Sequence, residues 1–254
     1  MTSLLLLALA TSPQAATPQE TGPKPAALLG KMFARYAEAN ALSGRVNYRQ
    51  VGTANGQSAE LTVTTEFAIL RPAQLRIVQS SSKHKQKKFV VTSDGNEFTY
   101  DVPDLEAGPN LRLSQPAVDP AGAPNVGRLL AFSRASLPDS RSPFLAVACG
   151  AVWDLKNLQG QWASLQSGGP GDVNGVACHI VKGKWRQAAS QSPTGTFAAW
   201  ITPEGDLLKY STEEKLDFND ENKKPLGTAT ILSEWTGTVT LNPVIADGTF
   251  KVVR

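Results

Sequence analysis

Hydrophobic positions change their spacing once near the start of the chain, and that change divides a helix from a run of strands. Leu28, Leu29, Met32, Phe33, Tyr36 and Ala37 recur three and four residues apart, with Lys31, Arg35 and Glu38 on other faces. This is the spacing of an amphipathic helix, and Gly44, just past Leu42, is the expected terminator. From Arg45 the period becomes two. Val46, Tyr48 and Gln50 mark one strand, and Asn55-Gly56 is a hairpin turn signal. Leu61, Val63, Thr65, Phe67 and Ile69 then share one face of a long strand that Arg71-Pro72 ends. Leu75 and Ile77 begin the next strand, Ser80 to Lys85 is a polar turn, Phe89 and Val91 return, and Asp94-Gly95 turns the chain toward Phe98 and Tyr100. The pattern predicts a meander of neighbouring antiparallel strands.

The remainder is less regular. Residues 101 to 127 hold five prolines and read as a long connection within one domain. Residues 125 to 135 predict a helix with Leu129, Leu130 and Phe132 on one side, and Pro143 opens a short buried helix through Phe144, Leu145, Val147 and Ala148. Strands are expected at Gln161–Leu165, Gly175–Val181, Thr196–Thr202, Leu207–Glu214, Thr228–Ser233 and Thr238–Leu241. Turns are expected at Gly168-Gly169-Pro170-Gly171, Pro203 to Asp206 and Asn219-Asp220. No alternation of strand and helix suggests a parallel sheet.

Composition narrows the class without naming a task. The chain has 254 residues, 41% hydrophobic and 19% charged, enough for a packed core. A net charge of +3 is too small and too scattered for nucleic acid to be the partner. Leu4 to Ala10 form an apolar stretch too short to span a bilayer, with no basic residue before Lys24. We read residues 1–16 as an export signal, 17–25 as a linker and 26–254 as a single domain of a soluble periplasmic protein. In an oxidising compartment Cys149 and Cys178 could form a disulfide; they could equally be two buried thiols that never meet.

Catalytic signals are weak, and the chain is not read as an enzyme. His84 lies among lysines, and His179 adjoins Cys178 in a strand, so those two side chains face opposite ways. Neither histidine has the spacing of a metal site, no cofactor motif is present, and no nucleophile elbow or phosphate loop appears. Lys83, Lys85, Lys87 and Lys88 form a basic cluster. It suits transient contact with an anionic membrane surface or an acidic partner, and equally a solvated hairpin tip. Aromatic residues are spread over most elements, as core packing requires. Collectively they would also suit a curved sheet with a concave apolar face.

Several blocks, in order, resemble the LolA-type periplasmic lipoprotein carriers and the wider LolA/LolB-like superfamily. Phe67-Ala68-Ile69-Leu70-Arg71-Pro72 with Leu75-Arg76 is similar to their strand and Arg-Pro turn. Ser93-Asp94-Gly95-Asn96 with Phe98 and Tyr100 resembles a hairpin of theirs. Ser142 to Ala148 resembles the helix after their central loop, and Leu241 to Phe250 their closing segment. The two cysteines and the extra material near 101–124 and 183–195 depart from that pattern.

The resemblance implies an α+β fold: a strongly curved antiparallel sheet, an open half-barrel, with helices covering its concave face. It implies a carrier that shelters lipid acyl chains or lipoproteins. The alternative on the same fold is a non-enzymatic envelope sensor or interaction module with a protein partner. Arg71 carries over as the residue that holds the helical lid, since a guanidinium can serve several carbonyls at once. The expected groove lining is Leu61, Val63, Phe67, Ile69 and Phe98 from the sheet, with Leu129, Leu130, Phe144 and Leu145 from the lid. A one-residue slip would exchange the two sheet faces, and the sequence does not choose between them.

Overall fold

The computed structural model describes residues 23–84, 87–102, 111–117, 126–133, 137–150, 162–186, 193–219 and 225–252. The expected signal, most of the linker and residues 103–110 and 118–125 of the Pro-rich connection lie outside these residues.

Helix α1 spans Pro25–Glu38, with proline in its first turn and Leu28, Leu29, Met32 and Tyr36 buried. The N–H that proline lacks costs nothing there, because first-turn donors have no partners in any helix. Eleven antiparallel strands make one sheet: β1 Ala41–Ala54, β2 Gln57–Leu70, β3 Gln74–Ser81, β4 Lys88–Asp94, β5 Glu97–Val102, β6 Leu111–Pro116, β7 Trp162–Val173, β8 Val176–Arg186, β9 Pro193–Ile201, β10 Leu207–Asn219 and β11 Pro225–Leu241. Their order across the sheet is β6-β5-β4-β3-β2-β1-β11-β10-β9-β8-β7. Two meanders therefore meet where the first and last strands pair, Leu42 opposite Leu241 and Ala54 opposite Ala229. The sheet is strongly curved and does not close, since β6 and β7 lie at opposite edges. Helices α2, Val126–Ser133, and α3, Pro143–Cys149, interrupt the strands between β6 and β7.

Several expectations change. Gly44 does not end the helix; it sits inside β1 opposite Phe67. A Cβ there would lie 2.6 Å from the Phe67 ring and from the Thr238 carbonyl oxygen, so glycine admits the ring. The Gly168 to Gly171 run lies within β7, where the pairing with β8 shifts twice. The bulged strand uses glycine to pass close over Ile180 of β8. The turn into β8 is instead Asn174-Gly175, both at positive φ, the same chemistry that turns Asn55-Gly56. The two strands expected at Thr228–Ser233 and Thr238–Leu241 are one strand of 17 residues. Residues 101–127 contain an edge strand, β6.

Strand alternation then separates two faces. One carries Leu42, Val46, Tyr48, Val63, Phe67, Ile69, Leu75, Ile77, Val91, Phe98, Phe197, Ile201, Tyr210 and Trp235, all buried in a single cluster with the helices. The other is polar, with ion pairs Arg45–Glu66 at 3.2 Å and Arg49–Glu60 at 2.8 Å. Such exposed pairs contribute about 0–1 kcal/mol each. Stability therefore comes from the covered face.

Candidate functional site

All five sheet residues named for a groove lie on the covered face. Val63, Phe67, Ile69 and Phe98 are buried there, and Leu61 packs half-buried at its margin. Leu129, Leu130, Phe144 and Leu145 meet them from α2 and α3, each 1–2% exposed. The pleat makes this one set: in β2, Leu61, Val63, Phe67 and Ile69 occupy odd positions, and the register places Phe67 opposite Ile77. In this structure the face is closed, its side chains packed against the helices. A hollow of about 680 Å³ opens instead on the face away from the helices, bordered by Arg49, Lys182, Lys184, Glu213, Leu232 and Glu234. A second, of about 360 Å³, lies beside Ile245 to Lys251 and Leu70. None of the nine named residues borders either.

The β2–β3 turn touches all three helices. Arg71 Nη2 donates to the carbonyl of Tyr36 at 3.1 Å and of Ala148 at 2.8 Å, and Nη1 to that of Ala37 at 3.4 Å. Those carbonyls end α1 and α3, where helical acceptors lack partners and the helix dipole favours a cation. The Arg71-Pro72 peptide is cis, and the Pro72 carbonyl accepts the first N–H of α2, from Val126, at 2.8 Å. Burial pushes the half-buried Arg71 guanidinium below its ordinary pKa, the expected effect of desolvation on a cation. Gly150 caps α3 with φ +60°, and a Cβ there would come within 3.1 Å of Arg71 Nη1. A left-handed cap and a guanidinium at its side both favour glycine.

A second fastening joins the α2–α3 connection to the sheet. The Asp139 backbone N–H donates to Gln79 Oε1 at 2.9 Å, and Gln79 Nε2 donates to the Asp139 carbonyl at 3.1 Å. The Asp139 carboxylate accepts the Trp235 indole N–H, 3.1 Å from both oxygens. Gln79 is fully buried and Asp139 is 2% exposed. Burial pushes the Asp139 carboxyl up to about 7, against the opposing hydrogen bonds from Trp235 and the Arg141 backbone. Sequence reasoning missed this trio. A buried Gln in a strand breaks alternation with its own apolar neighbours Leu75 and Ile77, and that was the available signal.

Trp235 also belongs to an aromatic row that crosses the covered face. Phe33 of α1, Trp162, Phe197, Tyr210, Trp235 and Tyr48 follow one another with ring centroids 4.7–5.9 Å apart. Trp162 Nε1 donates to the Tyr210 hydroxyl at 2.9 Å, which satisfies the polar end of each buried ring. Helix α1 is held over this row by Arg35, which pairs with Asp206 at 2.7 Å, and by Tyr36, whose hydroxyl accepts the Leu207 N–H at 3.2 Å.

Cys149 and Cys178 are both buried thiols and are not bridged in this structure. Cys149 is in α3 and Cys178 on β8. Lys83 and His84 occupy a 3-10 turn between β3 and β4, with His84 edge-on to Phe89 at 6.0 Å; Lys85 lies outside the described residues. Among the described residues no helix is long and apolar enough to cross a membrane.

An open antiparallel half-barrel with a helical cover is the class these features define. Neither a protein-family model nor any curated protein matches the chain in sequence. Among solved structures it is similar to the lipoprotein LppX of Mycobacterium tuberculosis, at 13% identity over 87% of this chain and 99% of that one, TM-score 0.42. It is similar to LprF of Mycobacterium bovis, at 12% identity over 89% and 97%, TM-score 0.42. It is also similar to a LolA superfamily protein of Nitrosomonas europaea, at 12% identity over 91% and 99%, TM-score 0.28.

Proposed function

We propose that the chain is a binding protein that shelters the acyl chains of a lipid or lipoprotein between the covered sheet face and helices α1 to α3, acting in the periplasm after export. It does no chemistry on its cargo. The observation that supports this most is the cover itself. A broad apolar sheet face is roofed by two helices of eight and seven residues and one of 14. Polar fastenings at Arg71 and Asp139 tie the α2–α3 portion to the sheet, and few bonds of that kind need break to free it.

Magnitudes make the exchange feasible. Removing an acyl chain from water yields about 0.8 kcal/mol per methylene, so roughly fifteen methylenes yield about 12 kcal/mol. Breaking hydrogen bonds from one guanidinium costs about 1.5–3 kcal/mol each. The apolar surface that α2 and α3 uncover as they lift is covered again by the entering chain. In this reading Arg71 holds the lid, and the nine named side chains form the lining once the lid has risen.

Native mass spectrometry of protein purified from its own envelope tests the proposal directly, together with uptake of a fluorescent fatty-acyl probe by the delipidated protein. We expect a lipid adduct and saturable uptake that speeds up in Arg71→Ala. Absence of both adduct and uptake, with one protein partner in fixed ratio instead, would replace the carrier reading by the interaction module.

A further inference from the structure

We propose that Asp139, in the described stretch 137–142 that leads into α3, is a proton-operated latch: it docks between Gln79 of β3 and Trp235 of β11 as a neutral acid, so closing the lid takes up a proton and opening it releases one. The inference rests on the reading of α2 and α3 as a movable cover, and adds to it how that cover is regulated.

The geometry carries the argument. One residue supplies every contact of the latch: its backbone N–H and carbonyl to the Gln79 amide, and its carboxyl to the Trp235 indole. The Gln79 contacts act on the backbone and do not depend on the charge of the acid. They bring the carboxyl to a place that is 2% exposed, where its donors, the indole and the Arg141 backbone N–H, are neutral. A carboxylate in such a place has lost its water and, among the described residues, gained no bonded cation, which favours the protonated form.

The titratable and charged groups nearby do not reverse this among the described residues. Tyr48 of β1 stacks on Trp235 at 4.7 Å, and its hydroxyl senses Asp139, Arg141 and Glu214 together. Glu214 of β10 is half-buried, and burial raises its carboxyl also, with Arg141 acting the other way. The Arg141 side chain is exposed, so water screens its charge. Burial accordingly lifts the Asp139 carboxyl to about 7 in the closed state. In the open state it faces water and returns toward the ordinary carboxylate value, about 3.9. Between those limits the opening constant rises with pH, by at most about tenfold per unit, and levels off above the upper one.

Hydrogen exchange on the full chain, without lipid, tests this. Protection factors, which remove the intrinsic pH dependence of exchange, are compared at pH 5 and pH 8 for amides of α3 and for amides of β1 and β2. We expect α3 protection to fall more than tenfold across this range and to stay below that of β1 and β2 at both pH values, as a local opening requires. Asp139→Asn should hold α3 protection constant, and Glu214→Gln should keep the fall. An equal fall in Asp139→Asn, no fall in the natural protein, or loss of the fall in Glu214→Gln alone overturns the latch. Should Asp139→Asn not fold, Trp235→Phe serves: with one donor gone, the fall must move to higher pH, and an unmoved fall overturns the proposal. The readout contains no ligand. Failure of acyl-probe uptake beside a pH-dependent α3 would remove the lipid reading and leave the latch.

Discussion

Arg71 shows how much one side chain can hold. Its guanidinium reaches carbonyls at the ends of two helices, and the residue after it anchors the third. Arg71→Ala leaves the ends of α1 and α3 without that donor, and we expect a loss of about 3–6 kcal/mol from its two shorter charged hydrogen bonds. Arg71→Lys keeps the charge on a single nitrogen and lacks the planar fork that serves both helices at once. It should recover less than half of the loss, as urea midpoints of the three proteins would show. Gly150 is the complement on the helix side. Gly150→Ala forces a β-carbon into φ +60° and toward the guanidinium. A left-handed residue costs about 1–2 kcal/mol, so the unfolding free energy from urea titration should fall by that much. A loss well above that figure would mean that the guanidinium is displaced as well.

At the scale of elements, the contact between Gly44 of β1 and Phe67 of β2 makes a sharp test of the sheet's close approaches. Gly44→Val places atoms where the ring and the Thr238 carbonyl already sit. Overpacking of this kind costs about 1–3 kcal/mol, and calorimetry should show a lowered melting temperature. The same residue explains where sequence reading succeeded and failed. Helices were legible because Leu28, Met32 and Tyr36 keep their spacing regardless of what covers them. The apolar face of β2 was legible because alternation of Val63, Phe67 and Ile69 is a property of the strand alone. Gly44 was misread as a terminator because its meaning lies in Phe67, a partner 23 positions on. Likewise Gly168 and Gly171 look like a turn until Ile180 of the neighbouring strand is seen beneath them. Glu234 to Gly237 separate two apolar runs in sequence, yet β11 is continuous because β1 pairs with it unbroken from Ala229 to Leu241 and β10 pairs with it as far as Thr236. The contacts of Arg71 with the helix ends were foreshadowed only by the ordered blocks around it. The Gln79–Asp139–Trp235 trio was not, since its members are 60 and 96 residues apart and a Pro-Asp pair between helices reads as an ordinary turn.

For the whole molecule, burial of ionisable groups in the covered face fixes how stability varies with pH. Asp139 binds its proton more tightly folded than unfolded, near 7 against 3.8. A raised carboxyl makes its full contribution below the unfolded value and loses it as pH climbs through the folded one. Unfolding free energy should therefore decline between about pH 4 and pH 7, by up to about 4 kcal/mol if the full shift is realised, and then flatten. Glu214 adds to the decline in the same direction, though it is only half-buried and contributes less. A second decline belongs to the tyrosines. Burial lifts Tyr36 and Tyr48 from 10 to about 12 and Tyr210 further in the same direction, so the stability they confer is present at neutral pH and fades from about pH 10 upward. The outer ion pairs cannot mask this profile, because they are exposed and weak. Urea unfolding at pH 4.5, 6 and 7.5 is the measurement, with Asp139→Asn as the comparison. The natural protein should lose stability along that series, while the variant should lose only the smaller part due to Glu214. A natural protein that instead gained stability over the same interval would place the Asp139 carboxyl among the lowered acids, as though a cation lay beside it, and the covered face would not be the dry interior that an acyl chain requires.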